Sequence, residues 1–174
     1  MPAVTRPPRG FTLIELLVTI AIVAILVTVA VPNFRVFLIN SRMASQANEL
    51  VSSFSLARSE AVKRGANVTV CASSNGSTCI GSGSNWAPGW IVRDAAGVIQ
   101  VQQALSGAST LAGGTHIGHT VTYLPNGRTN INSAATVASS TLTLCPPAPA
   151  AANGRAIQVD RNGRARVAVI NTCP

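Results

Sequence analysis

The most regular feature of the chain is an apolar run from Phe11 to Val31, 21 residues long. Its only polar interruptions are Thr12, Glu15, Thr19 and Thr28. As an α-helix rising about 1.5 Å per residue, the run would be about 32 Å long, enough to cross a bilayer core of about 30 Å. The pattern therefore predicts a membrane-spanning helix, preceded by ten residues whose only charges are Arg6 and Arg9.

Beyond Pro32 the apolar residues recur every three or four positions, which predicts an amphipathic helix that packs on a sheet. The stripe consists of Phe34, Phe37, Leu38, Ala44, Ala47, Leu50, Val51, Phe54, Ala57 and Ala61. Pro32 is expected to bend the helix without ending it. Lys63 and Arg64 suit a helix C-terminus, and Gly65 suits the residue after it. We therefore predict one helix from Phe11 to Arg64.

Short apolar segments separated by glycine, asparagine, serine and proline follow Gly65 and predict β-strands. These segments are Asn67–Ala72, Gly89–Arg93, Val98–Gln103, Val121–Leu124, Thr141–Cys145, Ala156–Val159 and Arg164–Ile170. The glycines and serines of residues 105–120 support no assignment. The predicted fold class is α+β, a long helix packed on a small antiparallel β-sheet head. The predicted regions are residues 1–10, 11–31, 32–64 and 65–174.

The last two predicted strands form a hairpin with two possible registers. A two-residue turn would pair Val159 with Arg166, whereas a three-residue loop with a left-handed Gly163 would pair Gln158 with Arg166. Register follows the buried pattern, so we predict the three-residue loop. Its buried face would comprise Ile157, Val159, Ala165, Val167 and Val169. Arg164 and Arg166 would point outward and Arg161 would lie at the tip. An Asp160–Arg164 surface ion pair is the alternative role for these charges.

Four cysteines lie beyond the apolar run, where an oxidising compartment is expected, and they allow three pairings. We favour Cys71–Cys79, which closes a short loop, and Cys145–Cys173, which staples the C-terminus. Zinc is the competing interpretation, but the chain has no CxxC pair.

Charge and turn chemistry point to an anionic partner. Thirteen Lys and Arg residues face five Asp and Glu, a formal charge of +8, and all but Lys63 of the cations are arginine. The guanidinium fork binds phosphate and carboxylate in bidentate fashion, although solubility alone would also account for the charge. Asn-Gly-Arg occurs at 126–128, 153–155 and 162–164, and each copy is expected to place an arginine after a turn.

Catalytic chemistry is not indicated. Few carboxylates follow Glu15, and neither a nucleophile elbow nor a phosphate-loop motif occurs. His116 and His119 make only a weak metal pair, so we predict no enzyme, no cofactor and no metal site. Trp86, Trp90 and Tyr123 could stack on bases, but hydrophobic packing is the favoured role.

The segment from Arg9 to Glu15, Arg-Gly-Phe-Thr-Leu-Ile-Glu, resembles the prepilin signature of type IV pilins and type II secretion pseudopilins. The resemblance implies that a prepilin peptidase cuts after Gly10, that Phe11 is methylated, and that Glu15 neutralises the new N-terminal amine during filament assembly. A secretory signal would have a shorter apolar core, and a plain anchor would not explain Glu15. Residues 1–10 would then be the leader and 11–31 the transmembrane and filament-core helix.

The implied location is the bacterial inner membrane, crossed once with the head in the periplasm, and then a pilus with other pilins on the cell surface. The head resembles the GspH/FimT group of minor pilins. The similarity lies in Val70-Cys71, Trp86, Gly89-Trp90-Ile91-Val92, Leu124–Arg128 and Gly163-Arg164-Ala165-Arg166 followed by Cys173.

The Gly163–Arg166 segment is similar to the GRxR motif of FimT-type minor pilins. This resemblance implies sequence-independent binding of extracellular DNA through phosphate contacts, for DNA uptake in natural transformation. Gly163, Arg164 and Arg166 would carry it, and charge adds Arg161, Arg155 and Arg128 as candidates. The alternative is a structural minor pilin, or a secretion pseudopilin, that primes filament assembly without binding DNA.

Overall fold

The computed structural model describes residues 10–131, 140–148 and 152–173. The predicted leader therefore lies outside the described residues, except for Gly10. The chain divides into two units, Met1–Phe37 and Leu38–Pro174. The predicted fold class is confirmed: one long N-terminal helix and antiparallel sheets form an α+β fold.

Helix α1 spans Leu13–Arg64 and continues through Pro32. It begins two residues later than predicted because Thr12 caps it: the Thr12 hydroxyl accepts the N–H of Glu15 at 3.3 Å. The helix is long and apolar enough, by length and composition, to cross a membrane. Within the first unit the large apolar side chains of the helix whose burial is described are exposed, apart from half-buried Val36, and Phe11 before the helix is exposed too.

In the described part of the chain, eight strands form two four-stranded antiparallel sheets, ordered β3-β2-β1-β5 and β4-β6-β7-β8. The strands are β1 Val68–Ala72, β2 Trp90–Arg93, β3 Val98–Gln102, β4 Thr110–Gly113, β5 Thr120–Tyr123, β6 Thr141–Cys145, β7 Gly154–Val159 and β8 Ala165–Ile170. Seven match the predicted segments to within two residues at each end. Strand β4 was not predicted, because only Leu111 of its four residues is buried and no apolar alternation marks it.

The core of the second unit lies between α1 and the sheets. The helix contributes a fully buried stripe: Met43, Ala47, Leu50, Phe54, Ala57 and Ala61. The predicted stripe is thus confirmed from Ala47 onward, with Val51 half-buried against the core, and Ala44 before it is half-buried. It is wrong for Phe34, Phe37 and Leu38, which are exposed because they precede the first residue of this core.

The three large aromatic side chains of the head, those of Trp86, Trp90 and Tyr123, are fully buried, which confirms their packing role. The Phe54 ring lies 6.4 Å from that of Trp86 and 6.5 Å from that of Tyr123. The indole N–H of Trp90 donates to the Ser53 hydroxyl at 2.9 Å. Strand β2 is thereby joined to α1 by a buried hydrogen bond.

The predicted hairpin register is confirmed: Gln158 pairs with Arg166, and Gly163 has a φ of +78°. One part of the prediction is wrong. Val167 and Val169 are 40% and 58% exposed, although they lie on the same side as buried Ile157. The reason is that β8 is the edge strand of its sheet, and the buried core ends at β7.

The structure pairs Cys71 with Cys79 and Cys145 with Cys173, as favoured from the sequence. The first disulfide joins β1 to the first part of the segment that connects β1 with β2. The second ties the segment after β8 to the end of β6, so the C-terminal strand is held at both ends, by the hairpin and by the disulfide.

Candidate functional site

Two five-residue turns at one end of the head, Leu124–Arg128 and Asp160–Arg164, have the same backbone design. In each, the glycine N–H donates to the carbonyl of the first residue, at 2.9 and 3.0 Å. The first residue's N–H donates to the carbonyl of the closing arginine, at 2.8 and 3.0 Å. Both glycines have positive φ, which favours glycine there. Two Asn-Gly-Arg copies therefore place an arginine after a turn, as predicted.

The two turns pack directly on each other, and we call them together the turn pair. A Cβ built on Gly163 would collide with the carbonyl oxygen of Gly127. Thr129 joins the turns: its N–H donates to the Arg161 carbonyl at 3.0 Å and its hydroxyl donates to the Asp160 carbonyl at 2.9 Å. Two segments that are far apart in sequence thus form one local structure.

The turn pair brings Arg128, Arg161 and Arg164 to one end of the head, and Arg166 follows on β8. All four arginines are exposed. Within the described residues none of them forms an ion pair; the salt bridges seen there join Lys63 and Arg64 to Glu60, and Arg64 to Asp94. The arrangement is a cluster of cations whose charge neighbouring carboxylates leave uncompensated.

The alternative role for the hairpin charges was an Asp160–Arg164 ion pair. Instead, the Asp160 carboxylate accepts the main-chain N–H of Arg164 at 2.9 Å. This bond closes the turn, as the Asn126 side chain does when it accepts the N–H of Arg128 at 3.0 Å. Asp160 therefore shapes the turn and leaves the Arg164 guanidinium exposed.

Two clefts flank the turn pair. One, of about 340 Å³, is lined by Leu124, Asn126, Arg128, Thr129, Asn130, Ile131 and Arg161. The other, of about 610 Å³, is lined by Ser55, Arg58, Ser59, Val62, Lys63, Tyr123, Gly163, Arg164 and Ala165. Arginines line both clefts, so cations surround the turn pair on two sides.

The structure places the third Asn-Gly-Arg copy elsewhere. Gly154 starts strand β7, where a Cβ would lie 2.8 Å from the Cys173 sulfur, so glycine serves close packing and the predicted turn is wrong. The Arg155 guanidinium donates to the carbonyls of Asn153 and Gly154 at 3.2 and 3.0 Å. Along β7, Arg155 lies about 20 Å from the hairpin tip at Arg161.

Sequence reasoning missed Arg58 of helix α1. Its Nε lies 3.3 Å from the Cβ position of Gly127 and also 3.3 Å from that of Gly163, so its side chain contacts both turns. Burial raises the pKa of the Tyr123 hydroxyl above its ordinary value, and the Arg58 guanidinium opposes this only in part. One indication that Arg58 contacts the head was available from the sequence, namely its position. Arg58 follows Ala57 of the buried stripe and therefore borders the helix face that meets the sheet.

His116 and His119 lie in the segment between β4 and β5. Among residues 10–131, 140–148 and 152–173, no group of three or more His, Cys, Asp or Glu side chains is placed to hold a metal ion.

Family comparisons agree with this architecture. A family model described as type II transport protein GspH matches residues 46–163, and one described as prokaryotic N-terminal methylation motif matches residues 6–31. The chain therefore belongs to the GspH family and is a type IV minor pilin or pseudopilin. The methylation motif implies processing by a prepilin peptidase and assembly with other pilins, and with the apolar helix it fits a membrane-anchored subunit.

Among solved structures the chain is similar to the type IV minor pilin FimU of Pseudomonas aeruginosa in two crystal forms. The P21 form shares 17% identity over 77% of this chain and 96% of FimU, with a TM-score of 0.54. The P65 form shares 18% identity over 75% of this chain and 99% of FimU, with a TM-score of 0.52. At this identity the similarity establishes the common fold.

Proposed function

We propose that this minor pilin binds extracellular DNA through the turn pair, for DNA uptake in natural transformation. The observation that supports this most is the packing of the Asn126–Arg128 turn on the hairpin tip. It adds Arg128 to Arg161 and Arg164, and Arg166 continues the cluster along β8. Guanidinium groups without carboxylate partners are suited to phosphate oxygens, which are the groups that every DNA sequence presents.

The same geometry defines which residues take part. Gly163 allows the two turns to touch, and Arg128, Arg161, Arg164 and Arg166 supply the charge. Arg155 is excluded from the proposed contact surface, because it lies at the opposite end of β7. Binding of this kind is sequence-independent and weakens steeply with salt, since each neutralised phosphate releases condensed counterions.

The isolated head, residues 38–174, is the material for the test. It contains every buried core residue of the described chain and both disulfides, so it retains what stabilises the second unit. Its affinity for a short DNA duplex is measured by fluorescence anisotropy at several salt concentrations. Arg164→Gln/Arg166→Gln is expected to lose affinity and to reduce the salt slope by about two.

The matched control is Arg42→Gln/Arg155→Gln, which removes the same charge from the same head but away from the turn pair. If both double variants bind equally, the site assignment is wrong. If the wild-type head fails to bind at low salt, DNA binding by the head is wrong as a whole.

A second candidate function is priming of filament assembly without DNA, as in a structural minor pilin or a secretion pseudopilin. The observation that favours it is the exposed pair Val167 and Val169 on edge strand β8, which would suit contact with another subunit. Val167→Ser/Val169→Ser would then abolish filament assembly while leaving DNA binding by the head unchanged.

For processing, we propose cleavage after Gly10, methylation of Phe11 and neutralisation of the new amine by Glu15. The proposed precursor crosses the inner membrane once, with its head in the periplasm. Gly10 and Phe11 are exposed ahead of α1, and Glu15 lies in its first turn. Mass spectrometry of the mature protein should find methylated Phe11 at the N-terminus; an N-terminus at Met1 or after an alanine would contradict this.

A further inference from the structure

The larger cleft beside the turn pair has two walls of different origin. Helix α1 provides one wall, and the start of β8 with Tyr123 provides the other. The helix wall consists of Ser55, Arg58, Ser59, Val62 and Lys63. Their spacing of three or four residues places them on one helix face. No motif identified in the sequence covers this face.

Arg58 and Arg164 are the guanidinium groups of this cleft, one on each wall. Arg58 Nε lies 3.3 Å from the position that a Cβ would take on each glycine of the turn pair, and in the described chain Arg58 has no ion pair. Lys63 is engaged with Glu60 at 3.8 Å within the helix. Lys63 is 77% exposed and offers a point charge, whereas Arg58 offers the planar fork of the helix wall for bidentate contact with a phosphate.

The lining of the cleft fits one chemical group best. The hydroxyls of Ser55 and Ser59 donate to the main-chain carbonyls of Val51 and Leu56, so the cations supply the donors of this cleft. Exposed Val62 provides apolar surface on the helix wall. Guanidinium groups on the two walls suit a phosphate, and apolar surface beside them suits the attached sugar. About 610 Å³ accommodates a phosphate and its sugar, whereas a duplex can only lay its backbone across the opening.

We infer that Arg58 is a phosphate-binding residue and that helix α1 forms the second wall of the DNA site. One backbone phosphate lies in the cleft between Arg58 and Arg164, and the neighbouring phosphates reach Arg161 and Arg128 across the turn pair. This inference rests on the proposed DNA binding and extends it to a residue outside the hairpin.

The test compares Arg58→Gln with Arg42→Gln in residues 38–174, because both remove one guanidinium from the same helix, about 24 Å apart along it. Arg58→Gln is expected to weaken duplex binding about tenfold, in line with the loss of a charge-assisted hydrogen bond, and to reduce the salt slope by about one. Arg42→Gln is expected to change affinity less than about twofold. Arg58→Lys should recover part of the affinity and the full slope, since it keeps the charge but loses the fork.

Thermal unfolding of each variant is followed by circular dichroism. If Arg58→Gln does not fold, Arg58→Lys tests the inference instead. A DNA affinity and a salt slope equal to those of wild type would then contradict a bidentate role for Arg58. If Arg58→Gln folds and binds as Arg42→Gln does, while Arg164→Gln/Arg166→Gln loses binding, this inference is wrong and the proposed function stands. A wild-type head that binds a polyglutamate peptide but no DNA would overturn both.

Discussion

Gly163 and Gly127 meet backbone to backbone, so closely that a Cβ on Gly163 would collide with the Gly127 carbonyl oxygen. The contact joins two turns of the same design and aligns the arginines that follow them. Gly163 therefore determines where the charges of the hairpin lie, whereas Arg164 and Arg166 supply those charges. Substituting Gly163 should affect both folding and binding.

Gly163→Ala is expected to destabilise the head by about 2–4 kcal/mol, because positive φ costs a non-glycine residue about 1–2 kcal/mol and the collision adds to it. Gly65→Ala is the matched control: its φ is +62° but nothing lies within 4 Å of the added Cβ, so it should show the backbone cost alone. Urea unfolding measures both. Equal losses would show that the two turns do not require contact at glycine.

The features that local pattern determines were predicted well. The helix, seven strands and the hairpin register follow from periodicity, and in β7 the alternation matches burial, because Ile157 and Val159 face the core. The turn pair could not be predicted this way. Its contact between Gly127 and Gly163 is long-range, and three identical Asn-Gly-Arg copies do not reveal which two will meet.

The errors have similar physical reasons. Whether Val167 is buried depends on how far the core extends across the sheet. The alternation of apolar and polar residues in β8 does not reveal this, because an edge strand can alternate as regularly as a central one. Arg58 was missed because a cation beside a buried stripe carries no signature of its own; only the packing of α1 under both turns gives it a role.

The buried hydrogen bond from the Trp90 indole to Ser53 predicts an unequal response of two helix serines. Both Ser53 and Ser55 donate to the carbonyl four residues earlier, at 3.0 and 2.9 Å. Ser53→Ala also leaves the Trp90 N–H buried without an acceptor, so it should cost about 1–3 kcal/mol in the free energy of unfolding. Ser55→Ala, at an exposed position, should cost less than about 0.5 kcal/mol. Similar costs in urea unfolding would mean that water reaches the indole.

The two disulfides should differ in their contribution to stability. Cys145–Cys173 spans 28 residues and Cys71–Cys79 spans 8. Loop entropy in the unfolded chain predicts losses of about 3.6 and 2.5 kcal/mol on replacing each pair by alanine. Denaturant unfolding of the two double variants checks the order. A greater loss for the short loop would indicate that contacts within it matter more than chain entropy.

Asp94 gives the head a pH dependence on the acid side. The N–H of Gly97 lowers the pKa of its carboxyl, partial burial opposes this, and Ala96 and Arg64 add to the lowering. The folded chain thus keeps this carboxylate charged to lower pH than the unfolded chain does. Its contribution is present above the unfolded pKa of about 3.9 and is lost as pH falls through the folded pKa.

Asp94→Asn should therefore be less stable than wild type at neutral pH, and the difference should shrink below about pH 4. Midpoints of thermal unfolding between pH 2 and 7 provide the measurement. A difference that stays constant with pH would assign the loss to loop geometry rather than to charge.

Arg155 and Arg161 test whether DNA binding depends on membership of an Asn-Gly-Arg copy or on position next to the turn pair. Arg155 ends an Asn-Gly-Arg copy, but its guanidinium donates to nearby carbonyls, and its backbone lies about 17 Å along β7 from the start of the hairpin turn at Asp160. Arg161 is not the last residue of such a copy, yet it lines the smaller cleft beside Arg128. Arg161→Gln should weaken DNA binding about tenfold, as expected for a lost charge-assisted contact, and Arg155→Gln less than about twofold. Because both variants lose one charge, equal effects in a salt titration would mean that net charge, and not the turn pair, determines affinity.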